Sequence, residues 1–129
     1  MKLKTLFTIY SAAAIIICLN FLFVPGFWIT LYGASADAQA SFLFRLIAAP
    51  FGGLALMAWV GRAAEPSRSR DAMVSGLIVV NGLAAIVAVI GALSGVYNRF
   101  AWGPVGMFGL FALGFGFVTA PRVSASETS

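Results

Sequence analysis

SFLFRLIAAPFGGLALMAWV, residues 41–60, decides the fold class of this chain. The run has about the 20 predominantly apolar residues that one helix needs to cross the hydrocarbon core of a bilayer. It contains Pro50 in its middle and one charged residue, Arg45, in its first turns. The sequence therefore predicts a membrane-spanning helix that carries an arginine at membrane depth.

Three further apolar runs have similar lengths, at residues 5–24, 72–93 and 102–119. The 129 residues are 61% hydrophobic and 9% charged, whereas roughly a quarter of the residues in soluble domains are charged. We therefore expect an all-α transmembrane four-helix bundle, a single integral domain over residues 1–129, with a disordered tail at 120–129. The first run exceeds the apolar core of a secretory signal, which has about 7–15 residues, so we expect it to span.

The basic residues predict the orientation of the four spans. If all four cross the bilayer, Arg99 lies on one side and six basic residues lie on the other: Lys2, Lys4, Arg62, Arg68, Arg70 and Arg122. Positive charge accumulates on the cytoplasmic side of multi-pass membrane proteins. We therefore expect an N-in/C-in topology, with both termini cytoplasmic.

The segment between the first two spans, residues 25–40, is rich in aromatic side chains. Pro25 and Gly26 interrupt the first helix, and the FWITLY run that follows is typical of a membrane interface. Two interpretations stay open, an anchor at the interface or a lid over a pocket between helices. The pattern also leaves open whether the segment is a helix or an irregular loop.

Arg45 is the strongest candidate for a ligand contact. Charged groups at membrane depth are costly and usually face a bundle interior or water. In one interpretation Arg45 binds an anion or carbonyl group in an outward-facing pocket that Asn20, Trp28 and Tyr32 help to form. In the other, its side chain reaches lipid phosphates or bonds Asn20 or Asp37 to hold the loop.

Small residues at helical spacing predict close packing between helices. The candidates are Ala49, Gly53, Ala88, Gly91, Gly95, Gly106 and Gly109. Asn81 lies near the middle of the third span, where an interhelical hydrogen bond is its expected role and a ligand contact the alternative.

The composition excludes several classes of site. The chain has no histidine and one cysteine, and its four carboxylates all lie outside the predicted spans. Imidazole catalysis and histidine metal ligation are therefore excluded, and a proton-coupled carrier lacks its usual carboxylate at membrane depth. We expect no catalytic residues, no metal, no cofactor and, because the basic residues form no aromatic-rich patch, no nucleic acid partner.

Three stretches carry a resemblance to a known group: NFLFVPGFWITLYG (20–33), FRLIAAPFGGLALMAW (44–59) and LSGVYNRFAWG (93–103). Together they resemble the uncharacterised bacterial four-helix membrane proteins grouped around the DoxX-like families and related domains of unknown function. The resemblance implies a four-helix bundle in the bacterial inner membrane, in a group sometimes associated with quinone-linked redox systems. It carries over no catalytic residues.

The sequence supports three functional hypotheses. The first is a structural or accessory subunit that packs through its Gly/Ala faces, in a homo-oligomer or a larger membrane complex. The second is a binding protein for a lipid or quinone-like molecule near Arg45. The third, a small transporter, has the least support because no span shows a polar stripe.

Overall fold

The computed structural model describes the backbone of residues 2–128 and the side chains of residues 2–119. The described residues form five α-helices, one short 3₁₀ turn and no strand. The helices are α1 (Leu3–Phe23), α2 (Pro25–Leu31), α3 (Ala38–Gly61), α4 (Arg68–Leu93) and α5 (Trp102–Thr128), and the 3₁₀ turn is Arg99–Ala101. The all-helical prediction is confirmed.

Four segments are long and apolar enough to cross a membrane: Leu3–Phe23, Ala38–Gly61, Arg68–Leu93 and Arg99–Thr119. Three of them contain a predicted run and Leu3–Phe23 contains all of the run 5–24 except Val24, so the expectation of a multi-pass membrane protein is supported at this level. The expected disorder at 120–129 lies outside the described side chains and stays a prediction.

Polar side chains mark where the helices begin. Asp37 Oδ1 accepts a hydrogen bond from the Ala40 backbone N–H at 2.8 Å, at the start of α3. Ser67 Oγ accepts one from the Arg70 N–H at 3.2 Å, at the start of α4. Both are N-caps, which satisfy backbone donors that the first turn of a helix leaves free. Pro25, at the start of α2, has no such donor.

The long helices form two antiparallel pairs, α1 with α3 and α4 with α5. Ala48, Gly52 and Ala55 lie on the face of α3 toward α1, where both alanines are buried. A Cβ added to Gly52 would lie 3.2 Å from Cys18 Sγ of α1. The absence of side-chain bulk therefore brings the two backbones close together, as in other membrane helix pairs.

The two pairs share a buried core. Phe115 of α5, fully buried, packs edge-on against Phe7 and Tyr10 of α1, with ring centroids 5.5 and 5.7 Å apart. Ala58 of α3 and Leu77 of α4 complete the contact between all four long helices. Phe7 and Leu77 lie in the first halves of α1 and α4, whereas Ala58 lies near the end of α3 and Phe115 near the end of the apolar span Arg99–Thr119. The core therefore lies toward one end of the molecule.

That end also carries Lys2, Lys4, Arg62, Arg68 and Arg70, and we call it the basic end. The opposite end, which contains α2 and the 3₁₀ turn, is called the loop end. Outside the core, large apolar side chains point outward, with Leu110 72% and Phe117 74% exposed. Such a surface suits contact with lipid tails rather than water.

The core predicts a difference between two phenylalanines of α5. Phe115→Ala removes a fully buried ring and leaves a cavity, so the free energy of unfolding should fall by about 2 kcal/mol, less than in water because lipid also solvates the ring. Phe117→Ala, the matched control, should change little because that ring is exposed. Reversible unfolding in bicelles measures both, and equal effects would contradict the assignment of the core.

Candidate functional site

All four predicted ligand contacts lie at the loop end, and three of them, Asn20, Trp28 and Tyr32, form a connected group. Trp28 Nε1 of α2 donates a hydrogen bond to Asn20 Oδ1 at 3.2 Å. Asn20 Nδ2 in turn donates to the Ile16 carbonyl oxygen at 2.7 Å. The Asn20 amide thus ties α2 back onto the end of α1, and both ends of the amide are in use.

Aromatic rings extend the contact between Trp28 and α1 toward α3 on one side and toward Tyr32 on the other. The Phe21 ring lies 6.3 Å from Trp28 and 4.8 Å from Phe44 of α3, measured between centroids. Trp28 also lies 6.4 Å from Tyr32. The structure gives the segment after Pro25 one helical stretch, α2, followed by non-helical residues up to Asp37.

Arg45 joins α3 to the last turn of α1. Its Nε donates to the Leu22 carbonyl oxygen at 3.3 Å. The last carbonyls of a helix have no partner within the helix, and positive charge there is favourable for the helix dipole. The arginine therefore caps α1, whereas the residues offered as its sequence-based partners bond elsewhere: Asn20 to Trp28, and Asp37 to Ala40.

Arg45 remains exposed at the loop end. Among the described residues, the Leu22 carbonyl is the one hydrogen-bond partner of its guanidinium. The terminal nitrogens of that group are consequently available to lipid, water or a ligand.

Asn98, which precedes the 3₁₀ turn, connects the two helix pairs at this end. Its backbone N–H donates to the Tyr32 carbonyl oxygen at 2.9 Å and its Nδ2 donates to the Leu31 carbonyl oxygen at 2.8 Å. Its Oδ1 accepts from the Phe100 N–H at 3.0 Å. We call these three bonds the Asn98 clamp. Sequence patterns did not identify Asn98 as a site residue, because no local pattern identifies a partner 67 residues away.

Gly33 makes the clamp sterically possible. Its φ of +83° is a conformation that side chains with a Cβ rarely adopt, and an added Cβ would lie 3.1 Å from Asn98 Nδ2. Beside it, the Tyr32 and Tyr97 rings meet edge to face at 6.0 Å. Burial, and secondarily Tyr97, raise the pKa of Tyr32 above its usual value, so its hydroxyl stays protonated at neutral pH.

The predicted packing residues have different surroundings. Ala49, Gly53 and Gly106 are exposed, and nothing lies within 4 Å of a Cβ added to Gly53, Gly106 or Gly109. A Cβ added to Gly91 would lie 3.4 Å from the Tyr97 ring, and Ala88 is half-buried. Gly95 lies beyond α4 with φ +77°, in the turn that ends the helix.

Asn81 is the most deeply buried polar side chain among the described residues, 1% exposed. Its Nδ2 donates to the Leu77 carbonyl of its own helix at 2.8 Å. Its Oδ1 is buried with no hydrogen-bond partner, and the Tyr10 side chain of α1 lies beside the amide. Asn81 thus belongs to the shared core rather than to the loop end.

Across residues 2–119 no group of three or more Cys, Asp or Glu side chains is arranged to hold a metal ion. The chemistry gathered at the loop end includes the guanidinium groups of Arg45 and Arg99, the amides of Asn20 and Asn98, the Asp37 carboxylate and several aromatic rings. The guanidinium and amide groups can bind a polar headgroup or carbonyl.

Comparison of the chain with protein-family models, with curated proteins and with solved structures finds no match.

The Asn98 clamp predicts a local loss of protection. Asn98→Ala removes the side-chain bonds to Leu31 and Phe100, each worth about 1 kcal/mol, so backbone amides around Gly33 should exchange with solvent several-fold faster. The control is Ser94→Ala, because the Ser94 hydroxyl bonds only the nearby Gly91 carbonyl. Hydrogen exchange in nanodiscs measures both, and unchanged exchange near Gly33 in Asn98→Ala would argue against the clamp.

Proposed function

We propose that this protein is a structural or accessory subunit of the bacterial inner membrane, without catalytic activity, that packs against itself or a larger membrane complex. The observation that carries the proposal is the open face of α3 formed by Ala49 and Gly53. Both residues are exposed, and nothing lies within 4 Å of a Cβ added to Gly53. The spacing is the small-xxx-small pattern by which membrane helices approach closely.

The chain does not need this face for its own packing. The contact between α1 and α3 uses a different side of α3, on which Ala48 and Ala55 are buried and Gly52 approaches Cys18. Apolar side chains gain little by leaving lipid, so association in a bilayer depends on close packing between backbones. A second small-residue face on one helix therefore favours a second helix as its partner.

Helix α5 presents a comparable surface. Gly106 is exposed, Gly109 is half-buried, and a Cβ added at either position meets no atom within 4 Å. Leu110 and Leu113, beside them, are 72% and 59% exposed. A groove of glycine backbone between leucines is a suitable surface for a helix of a partner or of a second copy.

The proposed orientation places the basic end in the cytoplasm, with both termini on that side. Its support is the charge distribution, because every described basic residue except Arg45 and Arg99 lies at the basic end. Trp59 lies near that end, whereas Trp28 and Trp102 lie near the loop end, as expected for aromatic residues at two interfaces. The bacterial inner membrane as location, and membership of the DoxX-like group, rest on the resemblance of the three quoted stretches.

Substitution on the open faces tests the subunit proposal. Gly53→Leu and Gly109→Leu put bulk where a partner helix would lie, so each should weaken association about tenfold, as expected for a loss of 1–2 kcal/mol of helix packing. Gly76→Leu is the control, because Gly76 is also exposed and open but lies outside the proposed faces.

The measurement is energy transfer between donor- and acceptor-labelled copies, together with recovery of copurifying membrane proteins. Association of Gly53→Leu and Gly109→Leu at the level of Gly76→Leu would refute the role of these faces.

A second function, binding of a lipid or quinone-like molecule in an outward-facing pocket, is favoured by one observation. Arg45 uses Nε to cap α1 and keeps its terminal nitrogens available at the loop end, the end that also carries the aromatic contacts of Phe21 with Trp28 and Phe44. A cation and aromatic rings at one end of the molecule suit a ligand with a carbonyl or anionic head and an apolar ring or tail.

This alternative predicts that Arg45→Leu abolishes retention of a short-chain benzoquinone or a phospholipid while the protein still inserts and remains helical. Arg99→Leu is the matched control, since Arg99 is exposed at the same end. Native mass spectrometry after addition of each probe gives the retained fraction. Equal retention of the probes by the two variants would show that Arg45 does not bind the ligand.

A further inference from the structure

A groove between α1 and α3 remains outside both proposed functions. Ser11, Ala12 and Ile15 line it from α1, and Gly52, Leu56 and Trp59 line it from α3. Its volume is about 480 Å³, within the range of about 300–1,000 Å³ typical of small-molecule pockets. The groove exists because the residues at its base are small, and its walls are almost entirely apolar.

A fixed cation lies beside Trp59, toward the basic end of the groove. The Arg62 Cζ atom lies over the Trp59 ring, 3.7 Å from its centre, in a cation–π contact. No hydrogen bond joins the Arg62 side chain to another described residue, and its Nε is buried without a partner. The terminal nitrogens, which are not enclosed in this way, remain available to an anion.

The surroundings of Arg62 are basic. In the described part of the chain this end carries Lys2, Lys4, Arg68 and Arg70 in addition, against the two carboxylates Glu65 and Asp71. Neither carboxylate forms a hydrogen bond with Arg62. Excess positive charge at a membrane surface attracts anionic lipids.

We propose that the groove holds one acyl chain of an anionic phospholipid whose phosphate is bound by the Arg62 guanidinium. The apolar walls accommodate the chain, and the terminal guanidinium nitrogens match a phosphate oxygen pair. The proposed phosphate site lies at the basic end, away from Arg45, and neither Ala49 nor Gly53 lines the groove.

Charge decides between a lipid and a helix as the occupant. A helix from a second copy would fill the apolar part of the groove, but the apolar runs 5–24, 41–60, 72–93 and 102–119 carry no carboxylate to offer Arg62. An anionic phospholipid supplies both the alkyl chain and the anion in one molecule. A zwitterionic lipid supplies the same acyl chain, but its headgroup is attracted more weakly to the Arg62 guanidinium. It is therefore the appropriate comparison.

The test is competition between phosphatidylglycerol and phosphatidylcholine with identical acyl chains, read by native mass spectrometry of the purified protein. Arg62→Gln should lower the preference for phosphatidylglycerol about tenfold, as expected for a lost hydrogen bond to a charged group. Arg68→Gln removes the same charge from an exposed site nearby and should leave the preference unchanged.

A second pair of variants tests the groove itself. Ala12 is exposed and lines the groove, so Ala12→Leu fills it without entering the core and should reduce retention of both lipids several-fold. Ala72→Leu, at an exposed site on α4, should have no effect. Equal retention of the two lipids by the unsubstituted protein, or identical behaviour within either pair of variants, would overturn the proposal.

Discussion

The contact of Phe115 with Phe7 and Tyr10 is the constraint on which the rest of the structure depends. The long helices are two tightly packed pairs, and these rings, with Leu77 and Ala58, are where the pairs share a core. In a bilayer the hydrophobic effect does little to hold helices together, because lipid tails are as apolar as the side chains. Close packing therefore holds the helices together, through edge-on ring contacts at the basic end and close backbone approach between α1 and α3.

The loop end is joined by a different kind of interaction. There the Asn98 clamp, the Trp28–Asn20 bond and the Arg45 cap on α1 all satisfy backbone or amide groups near the interface. Such bonds are directional, so they fix the position of α2 together with the burial of its Pro25 and Ile29 side chains. The helices are thus connected by apolar packing at the basic end and by hydrogen bonds at the loop end. Neither set of contacts uses the outer faces of α3 and α5.

Those outer faces connect the structure with the proposed function. The small-residue face of Ala48, Gly52 and Ala55 packs against α1 of the same chain and explains how the fold forms. A small-residue face that stays open, such as Ala49 and Gly53, is not needed for the fold and therefore favours a partner. The groove beside Trp59 differs from both, because a cation adjoins it and gives it a preference for an anionic lipid.

The spans could be predicted from sequence because apolar length alone is sufficient for that inference. Which face of a span meets its neighbour could not, since Ala48–Gly52 and Ala49–Gly53 have the same spacing and differ only by a rotation of about 100° about the helix axis. The hydrogen-bond partner of Arg45 also could not be predicted, because a backbone carbonyl such as that of Leu22 has no sequence signature. Asn98 acts across 67 residues, a distance that local patterns do not encode.

The most direct test of the central claim is native mass spectrometry of the protein extracted gently from its own membrane at natural abundance. The account predicts a stoichiometric second polypeptide or a defined homo-oligomer, held through the open glycine faces. Recovery of the bare monomer alone, under conditions that preserve known membrane complexes of the same cells, would contradict it.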